Sequence, residues 1–375
     1  MADKKRCTRC IMDTVVDPQI SFNEENGVCC HCLRYDLLIE TRVSRGKDAE
    51  EKLNSLVKKI KGAGIGRDYD CIIGVSGGVD STYVAYLTKE LGLRPLAIHF
   101  DNGWNSELAV KNMESVLKKL DIDLITFVID WPEFKDLQLS FLKGSVPDGE
   151  VPSDHAIQSV LWRYAEKYNI KHIISGMNFV TESISVPHWS YGHSDWKYIK
   201  SVHKKFGTRK LKSYPHYSLP YLMYVNLKGI RTVSILNYID FNKSDVMELL
   251  AEKLDWKSYG GKHHESIYTR FYQGYILPKK FSVDKRYGHL SDLINAGQIT
   301  KEKALEEVAS EPYNLDLQNQ DLEYVCKKLS LTKQEFDEIM TSEVRSFNDY
   351  PNSYGLVQFL RGSVNMLRKL GVYPK

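Results

Sequence analysis

Between Asp70 and Leu236 the apolar and polar positions follow two alternating rhythms. Short apolar runs at 71–75, 95–100, 123–129, 171–175 and 231–236 are separated by stretches of helical spacing at 80–91, 106–119 and 154–168. Runs of that length, bounded by turn residues, read as strands buried on both faces. Their alternation with helices predicts an α/β fold, a doubly wound parallel sheet covered on both sides. Ligands of such sheets sit at the carboxyl ends of the strands, so the segments 76–81, 101–105, 130–133 and 176–182 are expected to converge. Beyond Asn242 the strand rhythm stops, and the spacing predicts helices at 242–254, 300–310, 318–329, 332–342 and 353–370 with a Tyr-rich stretch at 264–276. Upstream, Ala49, Leu53, Leu56, Val57 and Ile60 recur at helical spacing until Gly62, Gly64 and Gly66 end the run. The expected organisation is an N-terminal unit at 1–40, a linker helix at 41–66, the α/β domain at 67–240 and a helical C-terminal region at 241–375.

Five of the seven cysteines precede residue 33, and four of them form the pairs Cys7/Cys10 and Cys29/Cys32. Two such knuckles supply the four thiolates of a tetrahedral zinc ribbon, with Cys30 and His31 as alternative ligands beside the second pair. A closed four-thiolate site has no open coordination position, so its expected role is scaffolding or docking.

The first strand runs into Ser76-Gly77-Gly78-Val79-Asp80-Ser81 and then into a helix. Gly77 and Gly78 let the backbone approach an anion, Ser76 and Ser81 offer hydroxyls, and the helix directs its first amides at the same point. Asp80 has no attraction for phosphate and is expected on magnesium. No Lys follows Gly78 as a Walker loop requires, and no third Gly completes a dinucleotide fingerprint. Further along, Lys262 follows two glycines and precedes His263, His264 and Glu265. Glycine amides and a cation suit a phosphate, and adjacent histidines point apart, so phosphate or substrate contact is expected there ahead of a single metal site. The stretch from Trp189 to Tyr198, which includes His193, combines aromatic rings with polar groups as sugar sites do.

Composition narrows the setting. The 42% apolar content fills real cores, and the net charge of +3 is too small to argue for nucleic acid. No stretch is long enough to span a bilayer, and no apolar segment follows the basic N-terminal residues, so a cytoplasmic location is expected.

The loop at 76–81 resembles the PP-loop of the ATP pyrophosphatases, the group of asparagine synthetase, argininosuccinate synthetase, NAD synthetase and the tRNA thiolases, which transfer AMP to a carbonyl-type oxygen. That resemblance implies ATP and Mg2+, with adenine near Phe100 and Asp101, and with Gly176 and Asn178 at the end of the fourth strand. It also implies an acidic magnesium ligand in the loop there, for which Glu182 is the nearest acid. Together with RCTRCIMD at 6–13, Asp154-His155, the 189–196 stretch and YGGKHHES at 259–266, the chain is similar to the N-acetyl sugar amidotransferases from the ribbon to about residue 310. These enzymes serve bacterial surface-polysaccharide and flagellar glycan pathways. The resemblance implies catalytic roles for Ser76, Asp80 and Lys262, and substrate contacts from Asp154, His155, Trp189, His193, His263 and His264. It implies conversion of an acetamido group to acetamidino through an adenylated intermediate, on a nucleotide sugar or a free sugar acid. A glutaminase centre is missing: Ala2 follows Met1, and Cys71 and Cys326 lack a nucleophile-elbow setting. Ammonia is therefore expected free or from partners resembling the glutaminase and cyclase subunits of imidazole glycerol phosphate synthase. The competing reading is tRNA thiolation, prompted by the acid-free basic strip from Lys197 to Lys212. Against it, no cysteine pair follows the ribbon to carry sulfur.

Overall fold

The computed structural model describes residues 4–261 and 264–359. Two antiparallel bridges, Arg6↔Asp13 and Phe22↔Cys29, shape the N-terminal unit, which leads into α1 (Cys30–Arg42) and α2 (Gly46–Ala63). The sheet region runs β1 (Cys71–Gly74), α3 (Val79–Glu90), β2 (Pro95–Asp101), α4 (Glu107–Lys119), β3 (Leu124–Val128), α5 (Trp131–Gly144), α6 (Val151–Lys167), β4 (His172–Ser175), α7 (Trp196–Phe206), α8 (Leu219–Leu227) and β5 (Arg231–Ser234). After it come α9 (Lys243–Leu254), α10 (Ile267–Phe271), a π turn (Tyr272–Ile276), α11 (Leu277–Phe281), α12 (Arg286–Asn295), α13 (Lys301–Ala309), α14 (Leu315–Leu329) and α15 (Lys333–Thr341).

The five strands are all parallel in the order β3-β2-β1-β4-β5, with Ile73 opposite both Ala97 and Ile174. The winding reverses between β1 and β4, which places the topological switch point, and with it the natural ligand crevice, at the carboxyl ends of those two strands. Alternate residues of β1 enter different cores because successive strand side chains point to opposite faces. Ile72 joins Leu96, Ile98, Phe134, Phe141 and Val160 on one face, while Cys71 and Ile73 join Ala97, Val84, Met113 and Leu250 on the other.

The five expected strands appear, as do the helices expected between them. Six helices were not anticipated: α1, α5, α7, α8, α11 and α12. Each has a local cause or a tertiary one. Asp130 caps α5 by accepting from Glu133 N at 3.0 Å, Pro132 sits in its first turn, and Phe134, Leu137 and Phe141 are buried at helical spacing. Asp195 caps α7 from Tyr198 N, and its buried stripe of Tyr198, Ile199 and Val202 packs on α5 beneath a row of lysines. The helix expected over 353–370 falls largely outside the described residues.

Candidate active site

The PP-loop leaves β1 at Val75 and is shaped by its own short side chains. Gly78 N donates to Ser76 Oγ at 3.3 Å, Ser81 Oγ donates to Gly78 O at 3.1 Å, and the two hydroxyl oxygens lie 3.2 Å apart. Gly77 has φ +84°, a conformation that side-chain-bearing residues rarely adopt. Gly78 is the N-cap of α3 and offers no side-chain cap, so the first-turn amides stay available to an anion, which the partial positive end of the helix also favours.

A cavity of about 1020 Å³ opens over this loop. Ser76, Gly78, Val79, Asp80 and Ser81 form one part of the wall, Gly176, Met177, Thr181 and Glu182 the next, and Trp256, Tyr259, Gly261, His264 and Glu265 with residues of α12 and α13 line much of the rest. The loop after β4 lies hard against the PP-loop: a methyl group on Gly176 would stand 3.1 Å from the Asp80 carbonyl carbon. Glu265 also belongs here, since a methyl on Gly78 would stand 3.1 Å from its Oε1. Carboxylates beside a pyrophosphate loop repel the ligand unless a cation stands between them. Asp80, Glu182 and Glu265 thus fit Mg2+, which takes one or two carboxylates and completes its octahedron with phosphate oxygens and water. Among the described residues no other group of three ligands besides the cysteines is preassembled.

The other expected residues divide. Lys262 and His263 lie outside the described residues. His264 lines the cavity, and burial lowers its pKa. Trp189 lines it as well, is almost fully buried, and its indole N–H has no partner among the described residues. Phe100 stands off the cavity wall, stacked on Phe127 in the core. Asp101 accepts from Gly103 N at 2.8 Å and from Asn105. Asn178 is fully buried and shapes the loop before Glu182 by accepting from Thr181 N at 2.8 Å and from Thr181 Oγ1. The segments 101–105 and 130–133 meet each other through Trp104 and Trp131 rather than joining the cavity.

Asp154, His155 and His193 come together beside the cavity. His155 donates from Nδ1 to the His193 carbonyl at 2.8 Å, accepts from Tyr217 N at Nε2, and stacks on the Tyr217 ring. Burial holds it neutral, lowering its pKa to about 4. His193 Nε2 lies 3.0 Å from Asp148 and 3.4 Å from Asp154. Burial opposes its charge, but the attraction of Asp148, reinforced by their hydrogen bond and by Asp154, raises its pKa to about 9. Asp148 and Lys285 were missed from sequence. Lys285 lies 3.9 Å from Glu150, and Gln273 donates to the same carboxylate at 2.7 Å; Lys285 and Gln273 both line the cavity. The only sequence signal was the Asp148-Gly149 turn before α6.

The four Sγ atoms of Cys7, Cys10, Cys29 and Cys32 lie within 4.8 Å of one another and are buried. Cys7–Cys32 and Cys10–Cys29 are 3.9 and 3.7 Å apart, against about 3.8 Å for the edge of a tetrahedron with Zn–S bonds near 2.3 Å. Backbone amides of Arg9, Cys10 and Cys29 point at the Cys7 sulfur, and the thiols of Cys10, Cys29 and Cys32 together with the Cys10 amide lower its pKa. The donor set fits zinc. His31 pairs with Asp17 at 2.8 Å and Cys30 stands outside the cluster, so neither alternative ligand is used. The ribbon also docks on the cavity wall. Lys301 donates to the Cys7 and Thr8 carbonyls, Cys32 Sγ lies 3.3 Å from the Asn295 side-chain amide, and Ile11 packs with Leu290 and Ala304.

Residues 70–187 match the family described as "Queuosine biosynthesis protein QueC", and residues 265–362 match "LPS biosynthesis protein WbpG-like, C-terminal domain". The chain is 27% identical over 205 residues to the tRNA-specific 2-thiouridylase MnmA 2 of Fusobacterium nucleatum, covering 52% of this chain and 54% of that protein. It is 36% identical over 85 residues to the GMP synthase [glutamine-hydrolyzing] of Pyrobaculum aerophilum, covering 22% of this chain and 16% of that one. The chain thus spans about half the length, or less, of these curated relatives. Two solved structures are similar at 18% identity. NMN synthetase from Francisella tularensis has a TM-score of 0.39 and covers 76% of this chain and 98% of its own. A predicted subunit of tRNA methyltransferase from Methanocaldococcus jannaschii has a TM-score of 0.28 and covers 48% and 74%.

A PP-loop at the switch point of a parallel sheet lies within the QueC match, and a WbpG-like C-terminal domain follows it. Together the two matches support a PP-loop protein of the N-acetyl sugar amidotransferase type. Among the described residues no helix is long and apolar enough to cross a membrane.

Proposed function

We propose that the protein converts the acetamido group of an N-acetylated sugar to acetamidino at the expense of ATP. One observation carries this reading: the two matched regions line one cavity. The QueC-like part contributes the PP-loop, and the WbpG-like part contributes Glu265 beside it together with Arg270, Gln273, Lys285, His289 and Lys303. The acetamido oxygen attacks the α-phosphorus of ATP, the bond to the bridging oxygen breaks, and pyrophosphate leaves onto the amides of Gly78 and Val79. Ammonia then adds to the activated carbon, AMP departs with the former amide oxygen, and loss of a proton leaves the amidine. Adenylation is needed because an amide oxygen is a poor leaving group, and the protein's share is to position reactants and stabilise phosphate charge. Asp80 with Glu182 or Glu265 would hold magnesium, which would neutralise charge at the phosphates. Trp189, His193 and His264 face the sugar, Lys262 meets phosphate, and a separate glutaminase assembly in the cytoplasm supplies ammonia.

Incubation with ATP, ammonium and a panel of N-acetylated sugars tests the proposal. AMP and pyrophosphate should appear together with a sugar lighter by the exchange of O for NH. ADP and orthophosphate as primary products, or no sugar product with any acceptor, would defeat it. The thiouridylase match keeps sulfur transfer to tRNA as the second reading. Both cysteines outside the ribbon region are buried away from the cavity, Cys71 in β1 and Cys326 in α14, with burial raising both thiol pKa values. A sulfur relay through this cavity therefore lacks its thiol.

A further inference from the structure

The outer side of the PP-loop is held by residues nearly two hundred positions downstream. The Gly77 carbonyl accepts two hydrogen bonds, from Trp256 Nε1 at 2.9 Å and from Tyr259 Oη at 2.7 Å. Both acceptor positions of that oxygen are spent on the protein's own donors. In a trans peptide the carbonyl and the next N–H point in opposite directions. Fixing the Gly77 carbonyl outward therefore fixes Gly78 N–H inward, where Ser76 Oγ already lies 3.3 Å from it.

The donors are themselves oriented. Asn112 of α4 is buried, and its Nδ2 donates to Tyr259 Oη at 2.8 Å, which leaves the single tyrosine proton for Gly77. The same side chain brackets Lys257, donating to its carbonyl at 2.8 Å and accepting from its amide at 3.0 Å. Trp256 is buried in the core that also holds Val84 of α3 and Met113 of α4. The segment continues to Glu265, whose carbonyl accepts from Ser106 N at 2.8 Å, so it is tied to the start of α4 as well.

A Gly-Gly peptide flips easily because neither residue has a Cβ to oppose it. In the flipped state a carbonyl oxygen, not an N–H, would face the incoming phosphate. We propose that Trp256 and Tyr259, aligned by Asn112, are positioning residues that hold the Gly77–Gly78 peptide in its pyrophosphate-receiving orientation. Both also line the cavity wall, and the role assigned to them here is on the loop backbone. The inference rests on the PP-loop as a pyrophosphate site, and it stands whatever the acceptor proves to be.

The test is titration of the full chain with magnesium pyrophosphate by calorimetry, alongside thermal melting. Tyr259→Phe keeps the ring and removes one donor, and Trp256→Phe removes the other. Losing one ordinary hydrogen bond, and with it part of the competent population, should weaken pyrophosphate binding about fivefold in either variant. Tyr69→Phe is the control. Its hydroxyl donates to Asp123 at 2.7 Å at the amino-terminal end of the strands, away from the loop, so its loss should leave pyrophosphate affinity unchanged. Wild-type affinity in Tyr259→Phe, whatever its melting temperature, would reduce the contact to packing and overturn the proposal. If Trp256→Phe proves too unstable to purify, Tyr259→Phe alone decides. Failure of the wild-type chain to bind pyrophosphate would overturn the PP-loop reading and the clamp with it.

Discussion

Two adjacent glycines of the PP-loop should respond to alanine differently, one losing stability with binding and the other binding alone. At Gly77 the backbone stands at φ +84°, and a built Cβ meets the Ala109 carbonyl oxygen at 2.7 Å and Tyr259 Oη at 3.0 Å. The first obstacle is backbone within α4 and cannot rotate away. A left-handed conformation costs a non-glycine residue about 1–2 kcal/mol, and overpacking adds about 1–3 kcal/mol. Gly77→Ala should therefore lose about 2–5 kcal/mol, a large part of the stability of an ordinary domain. Gly78 has φ −66°, open to any residue, and its Cβ would meet only side-chain ends, Glu265 Oε1 at 3.1 Å and Ser76 Oγ at 3.3 Å. Both can move, and alanine at a compatible glycine position restricts the unfolded chain. Gly78→Ala should fold with near wild-type stability while its methyl crowds the approach of phosphate. Urea unfolding followed by tryptophan fluorescence, paired with magnesium pyrophosphate titration, separates the two effects. Gly77→Ala should lose stability and binding together, and Gly78→Ala binding alone. Equal midpoints for Gly77→Ala and wild type would refute the reasoning, because neither the strain nor the clash would then exist.

Three further outcomes follow from the geometry. The purified protein should carry about one zinc per chain on Cys7, Cys10, Cys29 and Cys32; Cys10→Ser should lose it and lower the melting temperature through the Lys301 and Asn295 contacts to α12–α13, whereas fully folded, zinc-free protein by elemental analysis would contradict this. His155 has its folded pKa depressed to about 4 by burial, so between there and its unfolded value near 6.5 the unfolded chain binds more protons; the His155 contribution to stability should rise with pH across that window by about 3 kcal/mol and level off above it, whereas the His193 contribution, with its pKa raised to about 9, should fall as pH climbs from about 6.5 towards 9. His155→Gln should flatten that part of the profile, and an unchanged slope would show that His155 titrates normally. Ammonium but not glutamine should support turnover of the isolated chain, faster as pH rises and free ammonia increases; efficient glutamine use without a partner would undo the separate-subunit assignment.

The parts legible from sequence are those whose geometry is made by neighbours in the chain. Six residues from Ser76 to Ser81 contain the glycines, hydroxyls and helix start that make an anion site, so the loop announces its chemistry wherever it is folded. The CxxC pairs do the same for four sulfurs, and continuous apolar runs such as 95–100 are readable because a central parallel strand is buried on both faces. Helix α7 escaped notice because its lysine-rich outer row masked a stripe of Tyr198, Ile199 and Val202 that matters only once α5 is there to receive it. The cavity was less readable for the same reason. Phe100 and Asp101 stand at the end of β2, yet the packing of Phe127 and the turn at Gly103 take them off the wall. Trp256 and Tyr259 reach Gly77, Glu265 reaches Gly78, and α12–α13 with the ribbon behind them close the far side. Local spacing encodes backbone conformation, but which distant side chains share a cavity depends on how helices pack across a sheet, and that is resolved only when the whole core is assembled.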